Sequence, residues 1–576
     1  MSHVVSPLWI VKPQDPQKSA VLARAWGVSP LVAQIMMNRG IVDSENGSAF
    51  LRVGLEALHD PFALADMDRC VARLAAAVAA GEKIVVYGDY DVDGTTSAAL
   101  LFDFFKALGV AIDVYIPDRL KEGYSLNTGA LDRLKAQGMQ IVVTVDNGIA
   151  ALACARYARE IGLDLIITDH HELMEEMPLA CAIVNPKRPD NRADFAGVAG
   201  VGVAFYLAMA LRKHLRQAGY FSGGRREPNL SALLDLVAIG TVADVAPLTG
   251  QNRIFVKRGL AMIRKAVRPG VHALCEVSAI GVEKVDAGAI GFRLGPRINA
   301  GGRIGEPKDG FYLLTAETVE AARPYAMRLN SENERRRKLE ERMLEEAQAI
   351  FESQSGYSER MACMVAKRDW NPGVVGIVAS RLVEKYQRPA LVFAWDGKVW
   401  KGSARSIPDF PIHSAIGACR EHLIQFGGHP QAAGLSVAEE TLPAFYQAFD
   451  DYAAAQLTPA LCCKRLHIDM VLSEPLSLSH LDDMAALEPL GMLNPTPLFV
   501  HESVEVVSVK RLSEGKHLKL GLRLGKTTLD AISFRYPAAR FDPVLAQKRP
   551  ISLAFRPERN DWQGTSQLQL HIVDLK

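Results

Sequence analysis

From about residue 83 the chain alternates short apolar runs with helix-length segments, and that alternation is what most narrows its fold. The runs are Lys83–Tyr87, Ala111–Ile116, Gln140–Val145, Leu163–Thr168 and Ala182–Val184, and between the first four lie segments such as Thr95–Leu108 and Ile149–Ile161. Such order predicts an α/β fold, a parallel sheet covered by helices on both faces. In open sheets of this kind ligands gather beyond the carboxyl ends of the strands.

What stands at those ends is acidic. The first run leads into GDYDVDG, with Asp89, Asp91 and Asp93 at every second position. The third ends in TVDNG with Asp146, and the fourth in TDHH with Asp169, His170 and His171. Asp244 follows another apolar stretch in GTVADV. An EF-hand loop is excluded, because the twelfth position from Asp89 is Leu100 rather than a bidentate Glu. An Asp after a strand is often a helix N-cap, and a lone buried His is usually a satisfied core residue. Four such sites on one rim are harder to explain that way. Carboxylates with imidazoles make a mixed oxygen and nitrogen ligand set, suited to Mn²⁺ better than to Ca²⁺. Two cations about 3.5–4 Å apart can clamp the attacking and leaving oxygens of a phosphoryl displacement.

At 576 residues the chain is too long for one core, and three or four domains are expected. The formal net charge is only +1, yet Gln251 to Arg303 holds ten Lys/Arg against three Asp/Glu, the local positive surface an anionic polymer needs. The longest apolar run, Val198 to Leu211, is too short to span a bilayer, and no secretory leader is read. Eight cysteines without a C-x-x-C pair argue for a reducing compartment, so a cytoplasmic protein without a membrane partner is expected.

Residues 1–82 read as a mostly helical segment. Asn330 to Glu346 is dense in i,i+4 charge pairs and reads as a long exposed helix bridging two lobes. Beyond it the α/β pattern resumes in a smaller domain, where GSARS brings Ser403 and Arg405 beside a glycine and FGGH brings Gly428 and His429, both suited to an anion at close backbone approach. The tail alternates with period two (HLKLGLRL), which suggests a small β-barrel of OB type, a class that often binds single strands. Gly525-Lys526-Thr527 is not a Walker motif, since Leu520 stands where its first glycine belongs. No zincin histidine follows His171-Glu172, and no G-x-S-x-G elbow occurs.

GDYDVDG, TVDNG, TDHH and GTVADV in this order resemble the DHH phosphoesterases, and GSARS and FGGHPQAAG look like the DHHA1 accessory domain of that family. GPRINAGGR, GVVGIVASR and the β-rich tail narrow the likeness to its single-strand-specific 5′→3′ DNA exonucleases, over nearly the whole chain. The resemblance implies a helical segment at 1–82, a DHH catalytic domain at 83–315, a linking helix at 316–355, a DHHA1-type domain at 356–455 and an OB-fold at 460–576. It implies Mn²⁺ or Mg²⁺ held by Asp89, Asp91, Asp93, Asp146, His170 and Asp244, with Asp91, Asp146 and His171 in catalysis. Arg119, Arg297, Arg303, Ser403, Arg405, Gly428 and His429 are implied as DNA contacts. Single-stranded DNA is the implied partner, with a single-strand-binding protein and a helicase beside it, in repair and recombination. Tyr87 stands where some members carry a histidine, and Asn371 follows Trp370 where a histidine is frequent. Two other readings remain open: a phosphodiesterase of short oligonucleotides, cyclic dinucleotides or pyrophosphate, and a non-catalytic single-strand-binding scaffold.

Overall fold

The computed structural model describes residues 6–118, 122–123, 125–562 and 565–576. Three sheets organise the chain. The first is wholly parallel, in the order Ile112–Tyr115, Ile84–Tyr87, Ile141–Val145, Asp164–Thr168, Ala182–Val184. The chain starts this sheet in its interior and builds outward in both directions. The order therefore reverses between Ile84–Tyr87 and Ile141–Val145, where the crossovers part and leave a crevice. Helices Val92–Leu108 and Gly200–Gln217 pack on one face; Thr128–Ala136 and Leu152–Glu160 cover the other.

Helix Val319–Ser353 joins this lobe to the next. It was expected to be exposed, and that is corrected: one stripe of it is buried. Ala322, Ala326 and Leu329 sit in the core of the first lobe, and Met343, Ala347 and Phe351 in that of the second. Dense charge on the remaining faces hid an apolar stripe that is broken midway by Asn333 and Glu340, themselves buried. The second lobe is a mixed sheet in the order Gln425–His429, Ala432–Val437, Trp400–Arg405, Ala390–Trp395, Cys363–Lys367.

The tail forms the expected barrel. Phe499–Leu512 pairs with both His517–Leu524 and Ile551–Trp562, closing a ring completed by Thr527–Ser533 and Thr565–Leu575. The N-terminal residues belong with it. Besides its helices this segment has a strand, Leu8–Val11, which pairs in parallel with Arg465–Ile468. Trp26, Val32, Ile35 and Met36 enter the same apolar core as Leu518, Leu520 and Phe555. Arg253 of the first lobe, 3% exposed, fastens both parts by donating to the carbonyls of Phe50, Ala486 and Leu487, each at 2.8 Å.

Among the described residues no single helix is long and apolar enough to cross a membrane.

Candidate metal centre

Each acidic residue reaches the crevice by a different local device. Asp91 is the N-cap of Val92–Leu108, its Oδ1 accepting from the Gly94 amide at 3.0 Å, so the ordinary capping role and a place in the cluster coincide. Asp93 lies two residues on, in the first turn of that helix, and its carboxylate accepts from the amides of Gly200 (2.7 Å) and Val201 (2.8 Å), at the positive end of helix Gly200–Gln217. A Cβ on Gly200 would fall 2.9 Å from the Asp146 Cβ and from Asp93 Oδ2, so glycine is what lets that helix end approach. Asp146 takes a left-handed φ of 63° as its strand ends, a cost that fixed surroundings must bear. The Asn147 side chain bears it by donating to the Val145 and Tyr87 carbonyls. Asp244 is not at a strand end: it caps the C-terminus of helix Leu234–Ala243.

These residues converge. Asp89, Asp91 and Asp146 form one group whose ligand atoms lie within 4.8 Å of one another; Asp93, His170 and Asp244 form a second, and Asp146, His170 and His171 a third. Asp146 stands in two of the groups and so joins them. His170 Nε2 lies 3.0 Å from Asp146 Oδ1, 3.7 Å from Asp93 and 3.9 Å from Asp244. Among the described residues, the ion pairs of Asp93, Asp146 and Asp244 are all with the two histidines.

Charge without compensation shows in the acidities. Burial, then the Asp91 charge, pushes Asp93 up to about 7. Burial and the neighbouring aspartates hold Asp146 and Asp244 well above the usual range. His170 is driven down to about 3 by burial and by the charge of His171, which keeps its imidazole neutral with a lone pair to offer. Burial disfavours the His171 imidazolium too, but the hydrogen bond to Asp169 and the charges of Asp169, Asp244 and Asp91 outweigh it and raise this histidine to about 9. Asp146 Oδ1 and His170 Nε2 are buried without a hydrogen-bond partner. A divalent cation satisfies both atoms and cancels the clustered negative charge, so the donor set fits Mn²⁺ or Mg²⁺.

Tyr87 lies outside this set. Its ring is buried on the opposite face of the sheet and its hydroxyl donates to the Ser125 carbonyl at 3.2 Å.

The second lobe presents its candidate anion-binding groups in lateral register. His429 pairs with Ala432, and Ala432 with Arg405; Gly427 pairs with Gly434, and Gly434 with Ser403. Arg405 donates to Ser403 Oγ at 3.0 Å, and both side chains crowd the place a Cβ would take on Gly376, in the first turn of helix Val375–Tyr386. Gly428, at φ 146°, passes so close to the Ala432 carbonyl that a Cβ would meet it at 2.4 Å. Burial, Arg405, and then Lys187 and His171 of the first lobe lower the basicity of His429.

Arg297 and Arg303 are not brought to the acidic cluster. Arg297 donates to Asn330 on the long helix at 2.9 Å, and Arg303 to the Gly373 carbonyl at 3.2 Å, so both sit where the lobes join. Asn371, beside that joint, accepts from the Gly373 amide. Arg119 lies outside the described residues.

Two contributors, Asn299 and Lys187, went unread in the sequence, and Asp169 was placed at its strand end without an assigned role. Asp169 accepts from the amides of Ile149, His170 and His171 and pairs with the His171 ring. Asn299 accepts from the Val92 amide, tying GPRINAGGR to the aspartate loop. Lys187, on a loop, donates to Glu172 at 2.8 Å and its charge is felt at His429. Only for Asp169 was there a signal, its place at a strand end.

Comparison with known proteins agrees with this geometry. The chain matches the models of the DHH family N-terminal domain at residues 83–241, the DHHA1 domain at 359–455 and the RecJ OB domain at 468–574. It is 36% identical over 95% of its length to the single-stranded-DNA-specific exonuclease RecJ of Escherichia coli, covering 95% of that protein. To the exonuclease of the same name from Bacillus subtilis it is also 36% identical, over 98% of its length and 70% of the relative's. The crystal structure of RecJ from Thermus thermophilus in complex with Mn²⁺ superposes with a TM-score of 0.82 at 31% identity, covering 99% of this chain and 79% of that one. The same protein solved with Mg²⁺ gives a TM-score of 0.78.

Proposed function

The chain belongs to the RecJ family of single-stranded-DNA-specific exonucleases, and on that premise we propose that it hydrolyses single-stranded DNA from the 5′ end, releasing mononucleotides. It is a metal-dependent hydrolase, and its cofactor is Mn²⁺ or Mg²⁺. The observation that carries the reading is the position of Asp146, shared by two ligand groups and holding a buried oxygen without a hydrogen-bond partner.

We assign the cation ligands as Asp89, Asp91, Asp93, Asp146, His170 and Asp244. When bound, the cations supply Lewis-acid polarisation of the phosphodiester and activation of the attacking water. The protein's own groups do the rest. The amides of Gly200 and Val201 hold the Asp93 carboxylate in one orientation. His170, neutral, keeps its ring nitrogen available as a ligand. His171, hydrogen-bonded to Asp169, is held beside the reacting phosphate, where its imidazole stabilises the charge that develops. From the facing lobe, Ser403, Arg405, the Gly428 backbone and His429 receive the phosphate at the strand's 5′ end, together with Arg119. Arg297 and Arg303 border the strand's path where the lobes meet.

The domain limits we assign are 1–82, 83–315, 316–355, 356–455 and 460–576. The closed barrel supports a polymeric substrate over dinucleotides or pyrophosphate, which need no such module. We further assign the enzyme to the cytoplasm and to DNA repair and recombination, acting with a helicase and a single-strand-binding protein.

The test is a time course with Mn²⁺ on DNA oligonucleotides labelled at the 5′ or the 3′ end, single-stranded and as blunt duplex. Immediate release of 5′-labelled mononucleotide from the single strand alone is expected, while the 3′-labelled species shortens gradually. First release from the 3′ end, or equal cleavage of the duplex, would overturn the assignment.

A further inference from the structure

We propose that Phe292 is a base-stacking residue that receives an unpaired nucleobase of the strand beside the metal centre. This rests on the reading of the chain as a single-strand exonuclease and goes beyond it by naming what holds the bases.

Phe292 is 87% exposed, while Ile290 and Leu294 on either side of it are buried. It lies in the single π-helical turn Ile290–Leu294, set between two stretches of α-helix. Such a wide turn turns a side chain out of register with its neighbours and often marks a functional position. The turn packs against the end of the helix that delivers Asp244: a Cβ on Gly291 would lie 3.8 Å from Val242, and one on Gly295 would lie 3.2 Å from Ala243.

A single exposed Phe needs no explanation. Here two more large apolar side chains flank the same segment. Val245 directly follows Asp244, is 59% exposed and is held at φ 59°, which a β-branched residue adopts only under constraint. Leu493 is 64% exposed and at φ 56°, next to Met492, whose carbonyl accepts from the Leu248 amide at 2.8 Å. Three segments at or near the C-terminal end of helix Leu234–Ala243, which Asp244 caps, thus carry exposed apolar groups. Their occupant is argued by charge: Arg293, exposed next to Phe292, and Arg297 a turn further on put positive charge on the same helix. An aromatic face with guanidinium groups alongside suits a base and its phosphates. A duplex end hides its base faces by stacking and pairing; a single strand offers them.

The test is a binding cycle with EDTA present, so that no cleavage intervenes. Fluorescence anisotropy would compare the full chain and its Phe292→Ala variant on a 3′-labelled oligonucleotide. One abasic residue would be moved one step at a time along the 5′-proximal stretch. For the unaltered protein we expect one abasic position to weaken binding about tenfold. Phe292→Ala should weaken binding of the intact strand by a similar factor and lose that position's sensitivity, and Phe292→Trp should keep both. Independent losses, or an unchanged affinity in Phe292→Ala, would overturn the proposal. If the unaltered protein binds the strand in this cycle but releases no nucleotide with Mn²⁺, the exonuclease reading fails, while the cycle still decides the role of Phe292.

Discussion

Asp169 Oδ1 and His171 Nδ1 lie 2.7 Å apart, and the same carboxylate accepts the amides of His170 and His171. The second aspartate–histidine relation in TDHH is thus one of support: Asp169 orients a ring whose Nδ1 also lies 3.9 Å from Asp146 Oδ1.

Replacing Asp169 by Asn keeps the shape and removes the charge. His171 then loses the Asp169 part of what raises it, with Asp244 and Asp91 still acting, and its proton leaves at lower pH. We expect kcat to fall about 10- to 100-fold and the alkaline limb of its pH profile to move toward neutrality. A variant whose profile keeps its position at reduced height would assign Asp169 to structure alone.

Asp146→Asn removes the carboxylate that joins the ligand groups. Cleavage should fall by more than about 100-fold. The same change should raise the thermal midpoint of the metal-free protein, because a buried carboxylate that burial and four neighbouring aspartates keep well above its usual range no longer has to be accommodated. Calorimetry with EDTA would show it, and a lower midpoint would contradict the charge-repulsion account.

Metal-free stability should also depend on pH. Asp93 rises from an ordinary 3.8 to about 7, so the folded chain holds its proton more tightly than the unfolded one. That contribution is complete below about 3.8 and is lost as pH rises through about 7. Asp146 and Asp244 shift in the same direction. Relative to Asp93→Asn, the EDTA-treated protein should therefore lose stability across this window, and Mn²⁺ should restore most at its upper end. A difference between the two proteins that stays flat with pH would refute the linkage.

Arg253→Lys keeps a charge and forfeits the fork that reaches three carbonyls. A loss on the order of 3 kcal/mol is expected, with early proteolysis near Phe50 and near Ala486–Leu487. Mn²⁺ binding should persist, since Arg253 touches none of the ligands. Unchanged melting and digestion would deny it this fastening role.

Much of the site was legible because parallel-sheet physics places strand ends together: Asp89, Asp146 and His170 could be gathered from hydrophobic pattern alone. Asp244 was legible only as a motif, since it ends a helix and no periodicity predicts where that helix points. The supporting contacts of Asn299 and Lys187 were illegible, because they depend on the packing of segments far apart in sequence. The bridging helix was recognised by its charge pairs, but its buried stripe was not, because the cores at its two ends occupy separate turns. The strand Leu8–Val11 escaped notice for a related reason: four residues gain meaning only from a partner near the other end of the chain.

That pairing has a consequence for biosynthesis. Leu8–Val11 emerges from the ribosome before either lobe, whereas its partner Arg465–Ile468, and Asp574, which accepts from the Trp9 indole at 2.7 Å, emerge only after both. At roughly 5–20 residues per second, the wait is on the order of tens of seconds. Throughout it Trp26, Ile35 and Met36 lack the barrel that will cover them. The newborn chain therefore carries an open apolar surface while both lobes are made, and chaperone demand is set by the interval between Leu8–Val11 and the barrel strands that complete its core.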